Sequence, residues 1–314
     1  MFDITSIGEG QIRLTVIEGR RLVSSTKVLL NAACSEANVC GVLSQLGRAT
    51  SWCSILPEGD LAERCLSEYR SVGVDLSNMI RVPEGRTALY FMEPGKSPMP
   101  SRVTYDRQHT PFRDIRVDDV NWDSMLDTKL VFVTGITASL TDNTGEVITH
   151  FVNSAADRGI DVVLDVNYRG LLWSPEKAAE VLTPLAEKST ALFCSRRDAE
   201  IVFGITGDGP GCARTLRERF GATYVVSTDQ TNPVYYAGPD GEDSVTVETV
   251  PIVDRPGAGD SFVAGCLHGF LSGDMRRGVE YGKAIAKYAL THHGDLTRIN
   301  PAELSIPTTA DIIR

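Results

Sequence analysis

The chain has 314 residues, 42% of them hydrophobic and 23% charged, with a formal net charge of −10; this is the composition of an ordinary globular protein with room for one large α/β domain or two smaller ones. An acidic balance of that size repels nucleic-acid backbones and anionic lipid surfaces, so neither is expected as a partner. No apolar run reaches membrane-spanning length, residues 1–8 lack the basic start and long apolar stretch of a signal peptide, and the seven cysteines, an odd number without a Cys-x-x-Cys pair, read as buried free thiols; a cytoplasmic protein is expected.

Residues 2–7 read as a strand, and Gly8-Glu9-Gly10 turns out of it. Residues 12–16 and 22–30 alternate around Glu18-Gly19-Arg20, the pattern of a hairpin with one exposed face. Residues 35–46 are helical, with Val39, Val42, Leu43 and Leu46 on one face and Gly47 as a stop. A strand at 50–56, a helix at 60–71 and a second alternating pair at 87–92 and 102–105 follow. From residue 130 the rhythm changes. Short apolar strands at 130–134, 161–166, 191–194 and 224–227 alternate with helices near 145–158, 175–188 and 212–220, which predicts right-handed crossovers and a parallel sheet covered on both faces. Ligands of such sheets bind beyond the carboxyl ends of the strands, where Asn167, Arg169, Ser195 and Ser227 fall, and where Asp260 falls if residues 245–250 form a strand feeding its loop. The two alternating pairs do not fit the parallel pattern and predict a small separate sheet, a lid made from about 9–30 and 86–108 and inserted in one domain spanning 1–314. No internal repeat or low-complexity tract suggests a tethered second module.

The most informative stretch is Asp254-Arg255-Pro256-Gly257-Ala258-Gly259-Asp260-Ser261-Phe262. Small residues let main-chain N–H groups approach an anion, and the apolar residues behind them (Phe262, Val263, Cys266, Leu267, Phe270, Leu271) recur at helical spacing, so a helix N-terminus points at the same spot. Gly265 and Gly269 on its other side permit close packing. By itself the motif is equally a tight turn with a capping Asp. In the functional reading the amides of Gly257, Ala258 and Gly259 stabilise a phosphoryl group in flight and Asp260 takes the proton of an attacking hydroxyl. A second stretch, Asp165-Val166-Asn167-Tyr168-Arg169 with Leu172-Trp173, leaves the end of a buried strand. Its structural reading is a loop ion pair between Asp165 and Arg169, with Trp173 filling the core.

Together the two stretches resemble the ribokinase-like (PfkB) carbohydrate kinases, and Asp-x-Asn-x-Arg followed by Leu-Trp is similar to their fructokinase and 2-keto-3-deoxygluconate kinase branch. Gly8-Glu9, Asn38, the two lid pairs and Gly294-Asp295 extend the resemblance nearly end to end. It implies a three-layer αβα fold with a mostly parallel sheet, and ATP-dependent phosphorylation of a primary hydroxyl of a keto-deoxy sugar acid. Asp260 would be the base, with Gly257, Ala258 and Gly259 as anion hole. Arg13, Asn38, Tyr90, Arg107, Arg169 and Asp295 would hold the sugar, with Arg169, and Arg13 and Arg107 beside it, as partners for a carboxylate. Ser195, Ser227, Gly257 and Gly259 would meet the nucleotide, Mg²⁺ would ride on its phosphates with Asp198 in the outer shell, and a monovalent cation such as K⁺ is a further candidate.

The sequence departs from the family in several places. Ala33-Cys34 replaces two glycines, Ser195-Arg196-Arg197-Asp198 replaces the usual Asn-x-x-Glu, Asp229 replaces a glycine, and Arg255-Pro256 replaces a pair of threonines. The alternatives are a fructokinase-like kinase of a neutral ketose and a non-catalytic sugar or nucleotide sensor, although a sensor has no need of Asp260. A dinucleotide-binding oxidoreductase fails, because Gly8-x-Gly10 lacks the third glycine and the helix that must follow. His292 and His293 read as cations at the negative pole of the last helix, without a third metal ligand at suitable spacing. Apolar lid residues such as Leu14, Val16, Leu89 and Phe91 need covering, which predicts a homodimer through the lid.

Overall fold

The strand Thr128–Thr134 shows how the architecture arises, because its alternate residues enter two different cores. In a computed structural model, which describes residues 1–95 and 97–302, Val131 and Val133 pack into one apolar cluster while Leu130 and Phe132 pack into another on the opposite face. A strand with both faces buried must be covered by helices on both sides. The sheet that results has eight strands, in the spatial order Gly241–Val245, Val234–Gly238, Tyr224–Ser227, Ala191–Phe193, Asp161–Asp165, Thr128–Thr134, Phe2–Ile7 and Thr50–Cys53. Pairing is parallel from Tyr224–Ser227 through to Thr50–Cys53.

The two strands at the other edge are antiparallel, which corrects the sequence reading there. The strand ends at Val245, and residues 246–250 carry no regular structure. The loop before Asp260 is therefore not fed by a strand at 245–250. Its position comes instead from the helix it opens, Ala258–Phe270, packed on the next helix, Met275–Ala289. A Cβ built on Gly265 would lie 2.4 Å from the amide nitrogen of Gly282, and one on Gly269 would lie 2.3 Å from Cα of Gly278. Only glycine permits this approach, which seats the helix and so aims its N-terminus.

A separate four-stranded sheet has the order Val28–Ala33, Gln11–Val16, Ala88–Glu93, Arg102–Asp106. The second arm of the first predicted hairpin is displaced: Leu22–Ser24 forms a turn of 3₁₀ helix and the strand begins at Val28. One face of this sheet looks over the carboxyl ends of the large sheet through Gln11, Tyr90 and Met92. The other face is largely covered by the chain's own third cluster, against which Leu14 and Leu89 pack, and Val16 is buried. The apolar side chains left in solvent are Leu29, Leu30, Val103 and Tyr105 on the two edge strands.

All seven cysteines are buried and free, as their apolar settings suggest. No helix among the described residues is long and apolar enough to cross a membrane.

Candidate active site

A cleft of about 670 Å³ lies between the lid sheet and the carboxyl ends of the parallel strands. Asp260 sits in it, in the first turn of Ala258–Phe270. The first α-helix, Ser35–Gln45, presents Ser35 and Asn38 to that carboxylate from one face, since residues three apart are neighbours on a helix. The Ser35 hydroxyl donates to Oδ1 and the Asn38 amide donates to Oδ2 at 2.7 Å. Asn38 is itself oriented: its Oδ1 accepts from the Tyr69 hydroxyl at 2.9 Å. With Oδ1 and one N–H of its amide engaged, Asn38 aims Asp260, and it also lines the cleft. Burial pushes the Asp260 carboxyl up to about 6, against the lowering effect of the Asn38 and Ser35 hydrogen bonds and with the help of Asp295 and Glu36. Glu36, in the first turn of Ser35–Gln45, is buried and accepts from the hydroxyls of Thr134 and Thr137, 2.6 Å each.

Gly257 caps this helix with φ 83°, and a Cβ there would lie 1.9 Å from the carbonyl oxygen of Asp295. Both facts demand glycine. The amides of the first turn have no intrahelical partner. The Ala258 amide reaches the Arg255 carbonyl at 3.3 Å and its residue does not line the cleft, whereas Gly257 and Gly259 do line it, and their amides have no carbonyl acceptor among the described residues.

Across the cleft Asp165 ends its strand. Burial pushes it up to about 8, and the Asp260 and Asp198 charges add to that rise. Asp198 is raised too, chiefly by burial. The ion pair between Asp165 and Arg169 that the purely structural reading offered does not form: Asp165 instead accepts from the Asn167 amide at 3.4 Å, and Asn167 holds a left-handed φ of 35°. Ser195 lines the cleft and caps the helix Arg196–Phe203, its Oγ accepting from the amide of Asp198 at 3.0 Å. That helix was not anticipated. Two departures from the family pattern meet here, as Arg196 Nε donates to Asp229 Oδ2 at 2.8 Å.

Three expected site residues do not line the cleft, Ala258 of the helix's first turn and two others. Ser227 is fully buried, and Val226 and Thr228 form the wall beside it. Arg13 is also fully buried, its NH1 on Asp295 at 2.6 Å and its NH2 on Asp254; it has no free edge for a substrate carboxylate. Asp295 does line the cleft and accepts from the Tyr90 hydroxyl at 2.6 Å. Arg107 lines it as well but arrives half neutralised, with Nε and NH2 on Glu9 at 2.8 and 2.5 Å. Arg169, Arg197 and Arg255 also line the cleft; they are exposed and form no ion pair among the described residues.

Three under-neutralised carboxyls beside a rim of free arginines suit a polyphosphate carrying a hard divalent cation. Among the described residues no three His, Cys, Asp or Glu side chains converge closely enough to hold a metal alone. That fits Mg²⁺ held mainly by phosphate oxygens and water, with Asp198 outside them. A monovalent cation under the glycine turn fits less well, because Asp254 is already engaged: Oδ2 accepts from Arg13 and from the Gly294 amide at 3.2 Å, and Oδ1 accepts from the Arg255 amide at 3.0 Å.

The model of the pfkB family of carbohydrate kinases matches residues 1–302. The chain belongs to that family. This kinase is 31% identical over 305 residues to a 2-dehydro-3-deoxygalactonokinase of Haloferax volcanii, covering 96% of its own length and 95% of the relative's. It superposes with TM-score 0.90 on a 2-dehydro-3-deoxygluconokinase of Thermotoga maritima, at 27% identity and covering 97% and 98% of the two chains. A fructokinase of Xylella fastidiosa with bound ATP shares the fold, at TM-score 0.80, 20% identity and 95% coverage of each chain. The kinase is an ATP-using carbohydrate kinase with the ribokinase-like three-layer architecture that the sequence led us to expect.

Of the site residues, Ser35, Glu36, Tyr69, Asp165 and Asp254 were not anticipated as members. For Ser35 a signal existed, since it stands three positions before Asn38 on a predicted helix. Asp165 and Asp254 stand within the two motif stretches, without a role assigned to either, and nothing comparable marked Tyr69.

Proposed function

We propose that this kinase transfers the γ-phosphoryl group of ATP to the primary hydroxyl of a 2-keto-3-deoxy sugar acid. Asp260, held on both oxygens by Ser35 and Asn38, takes the hydroxyl proton as the oxygen attacks. The amides of Gly257 and Gly259 meet the transferred group, and Arg169, Arg197 and Arg255 serve the anionic ends of the two substrates. Mg²⁺, when bound with the nucleotide, supplies charge neutralisation between its phosphates. Tyr90, Arg107 and Asp295 bound the sugar end.

The observation that carries the choice of an acid is Arg169: it is exposed at the cleft and bonded to no carboxylate among the described residues, whereas Arg13 is consumed by Asp254 and Asp295. The relatives named above as phosphorylating dehydro-deoxy sugar acids support the same reading. The pairing of Arg107 with Glu9 favours the second reading, a neutral ketose such as fructose, because it leaves the lid side of the cleft without a free cation among the described residues.

The test is ADP release across a panel of 2-keto-3-deoxy sugar acids and neutral ketoses, with wild type and Arg169→Gln. Loss of a charged hydrogen bond raises KM for the acid about 10- to 100-fold and leaves a neutral sugar unaffected. A wild type that prefers fructose sinks the acid reading. We also propose that the chain acts in the cytoplasm as one kinase unit, and that it pairs with a second copy through the lid, where Leu29 and Leu30 on one edge strand are exposed; a monomer by light scattering at micromolar concentration counts against the pairing.

A further inference from the structure

Arg13 is the largest charged side chain that the fold buries completely, and it stands on the lid sheet, not on the α/β core. It and Tyr90 are register partners on adjacent strands and so share a face. Both reach Asp295, Arg13 at Oδ1 and Tyr90 at Oδ2. The same guanidinium takes Asp254, and its Nε is spent on the Thr15 hydroxyl at 2.7 Å. These two carboxylates belong to the two segments that meet at the glycine turn. Asp254 precedes Gly257 by three residues and bonds the Arg255 amide, while the backbone of Asp295 lies against Gly257 so closely that no Cβ fits between them.

We propose that Arg13 is a positioning residue that clamps the glycine turn to the lid, and that its guanidinium fills the place at Asp254 that a bound monovalent cation would occupy in its absence. The proposal rests on the reading of Gly257 and Gly259 as the seat of the transferred phosphate. Two acids so close to that seat would repel it and each other if left bare. A cation fixed by covalent attachment to the lid offsets them, and it makes the geometry of the turn depend on where the lid sits. A guanidinium suits the task because its planar fork meets two carboxylates at once, which a lysine ammonium on a single stem does less well.

Three measurements test it. Wild-type turnover on whichever sugar of the panel is phosphorylated is compared in KCl and in tetramethylammonium chloride at equal ionic strength, with equal rates expected. Arg13→Met and Arg13→Lys are then assayed for kcat and KM separately. The methionine variant is expected to lose about 100-fold in kcat, as displacement of catalytic groups by about 1 Å does, with KM for ATP within about threefold; the lysine variant keeps an intermediate kcat, and KCl partly restores the methionine variant. Thermal unfolding supplies a readout independent of turnover: KCl in place of tetramethylammonium raises the melting temperature of Arg13→Met and leaves wild type unmoved.

A wild type that is activated by K⁺ more than about fivefold, or stabilised by it, overturns the proposal. So does an Arg13→Met variant that melts early yet keeps kcat within twofold, since the side chain would then be structural only. Should Arg13→Met fail to fold, Arg13→Lys decides by the same split, with an unchanged kcat counting against the clamp. Loss of the preference for acids in the panel would overturn the substrate reading and leave these comparisons intact.

Discussion

Replacing Asp260 with Asn should move activity and stability in opposite directions. The amide keeps the shape of the side chain: its oxygen accepts from Asn38, and Ser35, whose hydroxyl both donates and accepts, turns to receive its NH₂. What disappears is the proton acceptor, which removes about 10²- to 10⁴-fold in kcat. Stability follows from the raised carboxyl. A group with an ordinary value of 3.8 that folding moves to about 6 gives up its proton more readily when the chain is unfolded. It therefore weighs against folding fully above about pH 6, and this penalty disappears as pH falls below 3.8. The cost is about 3 kcal/mol at neutral pH for a wholly buried group, and solvent in the open cleft reduces it to about 1–2 kcal/mol. Asp260→Asn should thus melt about 2–4 °C higher than wild type at pH 7, with a gap that closes toward pH 4. Calorimetry at several pH values, with a coupled ADP assay, checks both halves. A variant that retains a tenth of wild-type kcat, or that melts lower at pH 7, refutes the reasoning.

The same carboxyl sets the wild-type pH profile, with kcat/KM rising as pH passes about 6 and flat above it; a profile that falls there would contradict a base at this position. Tyr69→Phe leaves Asn38 Oδ1 without its donor and should lower kcat about fivefold, the worth of one net hydrogen bond, with KM for the sugar unchanged. Glu9→Gln strips Arg107 of its charge partner in a buried setting and should destabilise by about 3 kcal/mol in denaturant titration. Gly257→Ala drives a Cβ into the Asp295 backbone at a left-handed φ, and turnover should fall below detection even where circular dichroism shows a folded chain. Chelation of divalent cations with EDTA should stop turnover, and added Mg²⁺ should restore it.

The parts of the site readable from sequence were those that local chemistry fixes. A turn that needs glycine, followed at once by an acid and an apolar helix, specifies its own geometry within a few residues, and the parallel strands declare themselves by unbroken apolar runs. The antiparallel edge carried a turn signal, Asp240-Gly241, between Val234–Gly238 and Gly241–Val245, but the apolar residues at 245–250 compete with it as a strand. Arg13 is a different case. Alternation along Gln11–Val16 says which face a residue takes but not what waits there, and Asp295, which waits there, lies 282 positions away. Asn38 was legible as a member of the site, but its bonds to Tyr69 and Asp260 were not, because those residues come from two other helices. Contacts of that separation depend on how elements dock, which no window of sequence contains.

The most direct test is a crystal structure with a non-hydrolysable ATP analogue, Mg²⁺ and a 2-keto-3-deoxy sugar acid. The account predicts the primary hydroxyl within about 3 Å of an Asp260 oxygen, the reach of a proton transfer, with the Gly257 and Gly259 amides on the terminal phosphate and Arg169 on the sugar carboxylate. A hydroxyl placed away from Asp260, or a phosphate that bypasses the glycine turn, would contradict it.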